Sequence, residues 1–468
     1  MSTPMSNRFA SILESFWTAL GGEPSKLEPI EVTGSGALPS TFAVTDFASA
    51  ALAVAAAAVR ELIRCNTGAQ PTITVDRRLS SFWFGMSIRP QGWRLPAPWN
   101  PIAGDYPAKD GWIRLHTNAP RHRAAAEKVL ACGGDRAAVA RAVAGWSCGE
   151  LESAIVAAGG CAAEMRTCDE WRRHPQGVAV ASEPLVHFHE TAGRNSKSNI
   201  PRGPADRPLA GIRVLDLTRV LAGPVATRFL AGYGAEVLRI DPPDWDEPGV
   251  VPEVTLGKQC ARLNLKAPGD RERFESLLQQ ADILIQGYRP GALAALGYDE
   301  QCCQELAPGL IDVSLDAYGW SGPWSRRRGF DSLVQMSTGI AAAGMAWRAA
   351  DKPIPLPVQA LDHATGYLMA AAALRALTLR VTCQRSGYRA RLSLARTAEA
   401  LVECGTHEPE QPLEQEGERD SDRRVEETGW GPAWRLKPPV AIEGAPMHWT
   451  LPATALGSAA ASWSIRQP

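Results

Sequence analysis

The sequence predicts an α/β protein: a largely parallel sheet flanked by helices, joined to a smaller, mainly helical part. Three observations carry that expectation. Beyond Pro208, β-branched apolar runs alternate with helical segments, as parallel strands joined by crossover helices require. Between Ala119 and about Gly160, Val129, Leu130, Val139, Val143, Trp146, Leu151 and Ile155 fall at helical spacing. Two long alanine-rich helices, one early and one late, are each led by an aspartate, Asp46 and Asp362.

The 468 residues suffice for two or three domains, and a formal net charge of -1 gives no pull toward nucleic acid or a membrane surface. The ten cysteines are scattered without a Cys-x-x-Cys pair, and His187 and His189 have no second ligand pair nearby. Reduced thiols, no metal site and a cytoplasmic location are therefore expected. No basic stretch followed by an apolar core opens the chain, so no export signal is expected. The most apolar run, Phe47 to Val59, is shorter than the roughly 20 residues a bilayer span needs.

Taken in order, Phe9–Leu20 has the period of an amphipathic helix, and Asp46–Ile63 forms the first alanine-rich helix. Thr67-Gly68 turns into an extended run at Ile73–Val75. Aromatic- and proline-rich loops lead to a turn and short strand at Asp110–His116. Residues 191–208 have linker composition, rich in Arg, Ser, Asn, Gly and Pro. Strands are expected at 211–217, 235–240, 282–286, 310–315 and 388–394, and helices from Gly223-Pro224 to Tyr233 and over 268–279. Residues 404–430 are charged and poor in apolar side chains, which predicts a flexible loop before a short tail, 431–468.

The two aspartate-led helices belong to a longer repeat. Asp46-x-Ala-Ser-x-x-Leu52, alanines, then Thr67-Gly68 and Ile73-Thr-Val75 parallels Asp362-x-Ala-Thr-x-x-Leu368, alanines, then Ser386-Gly387 and Leu392-Ser-Leu394. This is a duplicated helix–turn–strand unit. On residue types alone, an aspartate before a helix is adequately explained as a cap worth roughly 1 kcal/mol.

The run Ala210-Gly-Ile-Arg-Val-Leu-Asp-Leu-Thr-Arg-Val-Leu-Ala-Gly-Pro224, continuing to Asp241, resembles the opening of family III CoA-transferases. That group includes formyl-CoA, carnitine and bile-acid CoA-transferases and the related α-methylacyl-CoA racemases. Gly257-Lys258, Ala281-Asp-Ile-Leu-Ile-Gln-Gly-Tyr-Arg-Pro-Gly291, Tyr318-Gly-Trp-Ser-Gly-Pro323 and Gly329-Phe-Asp331 follow in the family's order, then the Asp362 helix. The resemblance covers about Pro208 to Val402. Residues 38–190 resemble the family's later half, including Lys109-Asp110-Gly111, so the halves stand in rearranged order with the Asp helix duplicated. The expected organisation is a second-half-like segment 1–190 (Asp unit 38–86, small domain 87–190), a linker 191–208, a Rossmann-like CoA-binding domain 209–403, the loop 404–430 and the tail.

The resemblance implies transfer of CoA between an acyl-CoA and a carboxylic acid, with Asp362 as the nucleophile. No cofactor is held permanently, coenzyme A and its esters are substrates, and a homodimer is expected. A carboxylate nucleophile with an unperturbed pKa of about 4 is ionised at neutral pH without a general base, and a helix amino terminus offers free N–H groups to its charge. Asp46 is expected to be a cap or a relic. Val220, Leu221 and Ala222 match positions on the adenine and pantetheine path, and Lys258, Tyr288 and Arg289 are candidates for CoA contact. Single residues of that turn serve equally as an ordinary strand-to-helix connection. Asp331 is expected to cap the helix running to Ala343. His363, His187 and His189 carry little functional weight. The family's glycine-rich closing loop has no clear counterpart; Gln91-Gly92-Trp93 and Ala103-Gly104 are the nearest. Racemases have a histidine where Phe330 stands, and phenylalanine cannot move a proton, which favours a transferase. The alternatives are a racemase- or isomerase-like relative and a non-catalytic acyl-CoA-binding homologue.

Overall fold

The computed structural model describes residues 7–191, 202–383, 387–407 and 410–464. Most of the expected linker, and Ser386 of the repeat, lie outside the described residues. Seven strands form the central sheet: β1 (His187–Thr191), β2 (Arg213–Leu217), β3 (Glu236–Asp241), β4 (Lys258–Arg262), β5 (Ile283–Gln286), β6 (Ile311–Asp316) and β7 (Gly387–Ser393). Their spatial order is β4-β3-β2-β5-β6-β7-β1. All neighbours run parallel except the β7–β1 edge pair, which is antiparallel. The interior strands β2, β5 and β6 are largely buried, with helices on both faces, and the polar side chains they carry, Asp216 and Asp312 among them, are buried too. After β4 the chain returns to the middle and continues outward the other way from β5. The β2–β5 boundary is thus the switch point, where the carboxyl ends of parallel strands leave a crevice for a ligand.

Two of these strands are invisible to a search for β-branched runs. Lys258-Gln-Cys-Ala-Arg262 contains no β-branched residue, and His187-Phe-His-Glu-Thr191 is a polar edge strand. Tertiary pairing, not local propensity, makes both.

Five helices bear on the site: α1 (Val44–Thr67), α2 (Pro120–Leu130), α3 (Ala222–Gly232), α4 (Asp331–Ser337) and α5 (Ala360–Cys383). The alanines of α1 and α5 pack the two helices side by side in one fully buried core, with α3 on the other side of α5. Gly366 permits the α5–α3 approach: a Cβ there would lie 2.4 Å from the Ala222 carbonyl oxygen. Arg375 on α5 forms an ion pair with Glu61 on α1.

A second core lies in the small α+β unit. Strands Gly104–Pro107, Trp112–Leu115 and Ala162–Glu164 are antiparallel. Helices including α2 bury Leu130, Val139, Val143, Leu151 and Ile155 against them.

The charged stretch 404–430 departs from the flexible loop expected of it. Asp420 is buried, and its carboxylate receives both terminal nitrogens of Arg78 at 2.5 and 2.6 Å. Glu426–Thr428 forms a strand against Gly431–Arg435, which also pairs with Ile88–Pro90. A desolvated arginine compensates charges that composition alone assigns to solvent. Within the described end of the expected linker, Arg207 donates to the carbonyls of Gly232 and His448.

Candidate active site

At the switch point, a cavity of about 370 Å³ opens between the carboxyl ends of β2 and β5 and the start of α5. β2 ends at Leu217, and the chain turns through Thr218 and Val220 into α3. Thr218 donates its backbone N–H and its hydroxyl to Asp216 Oδ1, at 2.9 and 2.5 Å. Val220 has φ +62°, a strained conformation for a β-branched residue. Its N–H donates to Glu247 Oε2 at 2.6 Å, and Glu247 is itself paired with the buried Arg239. Strain at the turn is therefore held by a buried ion pair, and Val220 and Ala222 face the cavity. Leu221 does not line it: its side chain is buried in the core at the start of α3.

Lys258 also departs from expectation. Its ammonium is fully buried, 3.0 Å from Asp216 Oδ2 and 2.9 Å from the Pro224 carbonyl. Asp216 sits inside a central strand and requires a cation, so this lysine is committed to the fold and is not offered to CoA phosphates.

Tyr288 and Arg289 line the cavity from the segment after β5. The Arg219 guanidinium lies over the Trp245 and Tyr288 rings, at 4.5 and 5.2 Å from their centroids. Arg121 and Arg328 add to the same wall. Burial lowers the pKa of Arg328, and the neighbouring Arg289 and Arg121 charges lower it further. This wall is cationic and suited to an anion.

Asp362 lies in the first turn of α5, 7% exposed, and lines the cavity. The helix start is not free. Asp331 Oδ2 accepts the N–H groups of both Leu361 and Asp362, each at 3.0 Å. Gln335 donates to Asp331 Oδ1, and its own oxygen accepts the Leu356 N–H at 2.7 Å. Asp331 thus opens α4 but caps α5, not the helix running to Ala343. The fold brings these groups together across thirty residues of chain, which local sequence does not display. Burial, then the adjacent Asp331 charge, hold the Asp362 carboxyl well above the usual carboxylate range. The unperturbed value expected from sequence does not apply.

The first half of the chain also reaches the cavity, through Arg121 and His122 in the first turn of α2. His116 stacks on Phe330 at 3.7 Å between centroids, and His122 meets the same ring edge-on at 5.9 Å. Burial, then nearby charge, lower His116 to about 3 and His122 to about 4. Sequence reasoning missed both histidines. The available signal was their position on either side of Pro120, the residue that starts α2.

The remaining candidates lie elsewhere. Asp46 is buried in α1 and is not its N-cap, which is Ala43. Its carboxylate faces Arg77 at 3.4 Å and Arg8 at 3.9 Å, so it is an ion-pair anchor rather than a cap. His363 stacks on Phe84 at 5.0 Å, fully buried. His187 and His189 lie on the edge strand β1, His187 being 3.6 Å from Glu183. Gln91 and Trp93 bond to the Pro432 carbonyl, and Gly104 packs under Arg136, so neither glycine loop lines the cavity. Among the described residues, no group of three or more His, Cys, Asp or Glu side chains could hold a metal, and no helix is long and apolar enough to cross a membrane.

A largely parallel sheet with a buried carboxylate and a cationic wall at its switch point defines the class: an α/β protein whose cavity sets arginines beside a carboxylate. Residues 209–432 match the family model for CoA-transferase family III. An acetyl-coenzyme A transferase of Hypoxylon pulicicidum is 36% identical over 187 residues, 39% of this chain and 31% of its own. Human succinyl-CoA:glutarate CoA-transferase is 35% identical over 147 residues, 29% of this chain and 34% of its own. Acetyl-CoA:oxalate CoA-transferase of Acetobacter aceti is 34% identical over 155 residues, 31% and 39% of the two chains. The chain thus spans about a third of the length of these curated relatives.

Proposed function

We propose that this protein transfers CoA from an acyl-CoA thioester to a carboxylic acid, with Asp362 as the nucleophile. The observation that carries the reading is Asp362 itself: a buried carboxylate facing a cationic cavity at the sheet's switch point, within a segment that matches the family model for CoA-transferase family III. Relatives that move CoA between acids by name support it.

The ionised Asp362 attacks the thioester carbon and expels CoA as its thiolate, leaving an acyl–aspartyl anhydride. The thiolate attacks the aspartyl carbonyl, releasing the acid and forming an aspartyl-CoA thioester. An incoming carboxylate attacks the aspartyl carbonyl and expels the thiolate, forming a second anhydride; the thiolate then attacks the acceptor's own carbonyl, giving the new acyl-CoA and freeing the Asp362 carboxylate. Every step exchanges acyl carbon between oxygen and sulfur, so the sequence needs no redox cofactor. Anhydrides hydrolyse readily, and the enclosed position of Asp362 suits their survival. Arg289, Arg328 and Arg121 are the proposed partners for CoA phosphates, with Val220, Ala222 and Tyr288 along its path. The proposal includes a cytoplasmic setting and a homodimer. It also takes the chain to be a rearranged family member whose Asp helix is duplicated, a reading supported by the side-by-side packing of α1 and α5.

The test is exchange of CoA from unlabelled succinyl-CoA or acetyl-CoA to a panel of isotope-labelled carboxylic acids. Label is expected in a CoA thioester with the unmodified protein and not with D362N. Absence of exchange across the panel contradicts the proposal. A second reading, isomerisation at the α-carbon, is favoured by one observation: His122 supplies an imidazole beside Phe330. It predicts deuterium uptake from solvent at the α-carbon of an acyl-CoA with no acceptor acid present.

A further inference from the structure

His122 is 1% exposed, and neither of its ring nitrogens has a hydrogen-bond partner among the described residues. A buried imidazole left without partners calls for an explanation, because both its donor and its acceptor are desolvated without compensation. Its surroundings suggest one. The ring meets Phe330 edge-on; the next residue, Asp331, binds the N–H of Asp362; and His122 and Asp362 line one cavity.

We propose that His122 is a catalytic residue that donates its ring N–H to the carbonyl oxygen of the acyl thioester as Asp362 attacks; this rests on the transferase reading above. An oxygen of the Asp362 carboxylate bonds to the thioester carbon, and the carbonyl π pair moves to oxygen. His122 donates a hydrogen bond to that oxyanion and keeps its proton. When the pair returns, the C–S bond breaks and CoA leaves as the thiolate, with the anhydride on Asp362. One negative charge passes from carboxylate to oxyanion to thiolate, and no oxidant, reductant or net proton is needed. A neutral imidazole suits the role, since it donates without adding a buried charge, and burial and the adjacent arginines keep His122 neutral.

The experiment uses the full chain with acetyl-CoA and succinyl-CoA. Labelling of Asp362 is followed by rapid hydroxylamine quench and peptide mass, and acyl-CoA binding by calorimetry, for the unmodified protein, H122A and H122Q. H122A is expected to slow labelling about 100- to 1000-fold while the dissociation constant moves by less than about threefold. H122Q, which retains an N–H donor, is expected to recover about tenfold of that loss. Unchanged labelling in H122A overturns the inference. So does loss of binding in both variants, which marks a packing role, and so does His122-dependent deuterium uptake at the α-carbon. No label on Asp362 in the unmodified protein overturns the transferase reading instead.

Discussion

Asp331 and Asp362 share one helix start, and their proximity sets the pH behaviour of the site. Burial first, and the Asp331 charge second, raise the Asp362 pKa well above its ordinary value of 3.8. In the proposed reaction Asp362 attacks in its ionised form, so kcat/KM is expected to fall as pH drops through that raised value, at higher pH than an exposed carboxylate would show. D331N removes a like charge, so the acidic limb should move to lower pH even as the weakened cap slows turnover. A pH profile of kcat/KM for both proteins checks this; coincident limbs would contradict it. The same shift governs stability. A carboxyl whose folded pKa is raised stabilises fully below its unfolded pKa and loses that contribution as pH rises through the folded one. The advantage of D362N in melting temperature should therefore grow with rising pH. Local sequence identified Asp362 but not its state, because Asp331, which sets it, approaches only through the fold.

At the scale of elements, the site depends on how closely α5 lies against α3. Gly366 lies in that contact, with Ala222 O at 2.4 Å and Val225 Cβ at 3.0 Å from an added Cβ. Gly366→Ala should push the helices apart and cost about 1–3 kcal/mol in urea unfolding. It should also raise KM for the acyl-CoA, because α5 carries Asp362 and α3 opens from the Val220 turn. An unchanged midpoint would show that α5 can shift without loss. The parallel strands and alanine helices were legible because their apolar runs are long and punctuated by glycine. β4 was not, since Lys258 and Arg262 bound a strand whose stability comes from its pairing with β3 and from Asp216. The same blindness assigned Lys258 to CoA.

Across the whole molecule, the buried carboxylate of Glu253 is a junction between the two halves of the chain. Glu253 is fully buried and accepts from the N–H of Ser87 and Ile88, each at 3.0 Å, and from the Ser87 hydroxyl at 2.7 Å. It is paired with Arg228 on α3 and with Arg435 near the end of the chain. Burial works to raise its pKa, but Arg228 and Arg435 hold it below the usual range. Its stabilisation is thus present at neutral pH and lost as pH falls through the folded value. Glu253→Ala should cost about 3–5 kcal/mol, because two guanidinium groups lose their buried partner. Denaturant titration at neutral pH measures it, and a loss below about 1 kcal/mol would contradict the junction's importance. Such a junction was not legible in sequence: Ser87, Glu253 and Arg435 belong to no shared motif. Arg121 and His122 were missed for the same reason, since only the assembled halves bring them to the Asp362 cavity.

The central claim is that Asp362 bonds covalently to the substrate. Incubation with acetyl-CoA or succinyl-CoA, quenching with hydroxylamine or borohydride, and mapping the modified residue by peptide mass tests it directly. The account predicts modification at Asp362, absent in D362N and absent at Asp46, whose carboxylate is engaged by Arg77 and Arg8. Modification at Asp46, or at neither aspartate while acyl-CoA still binds, would contradict it.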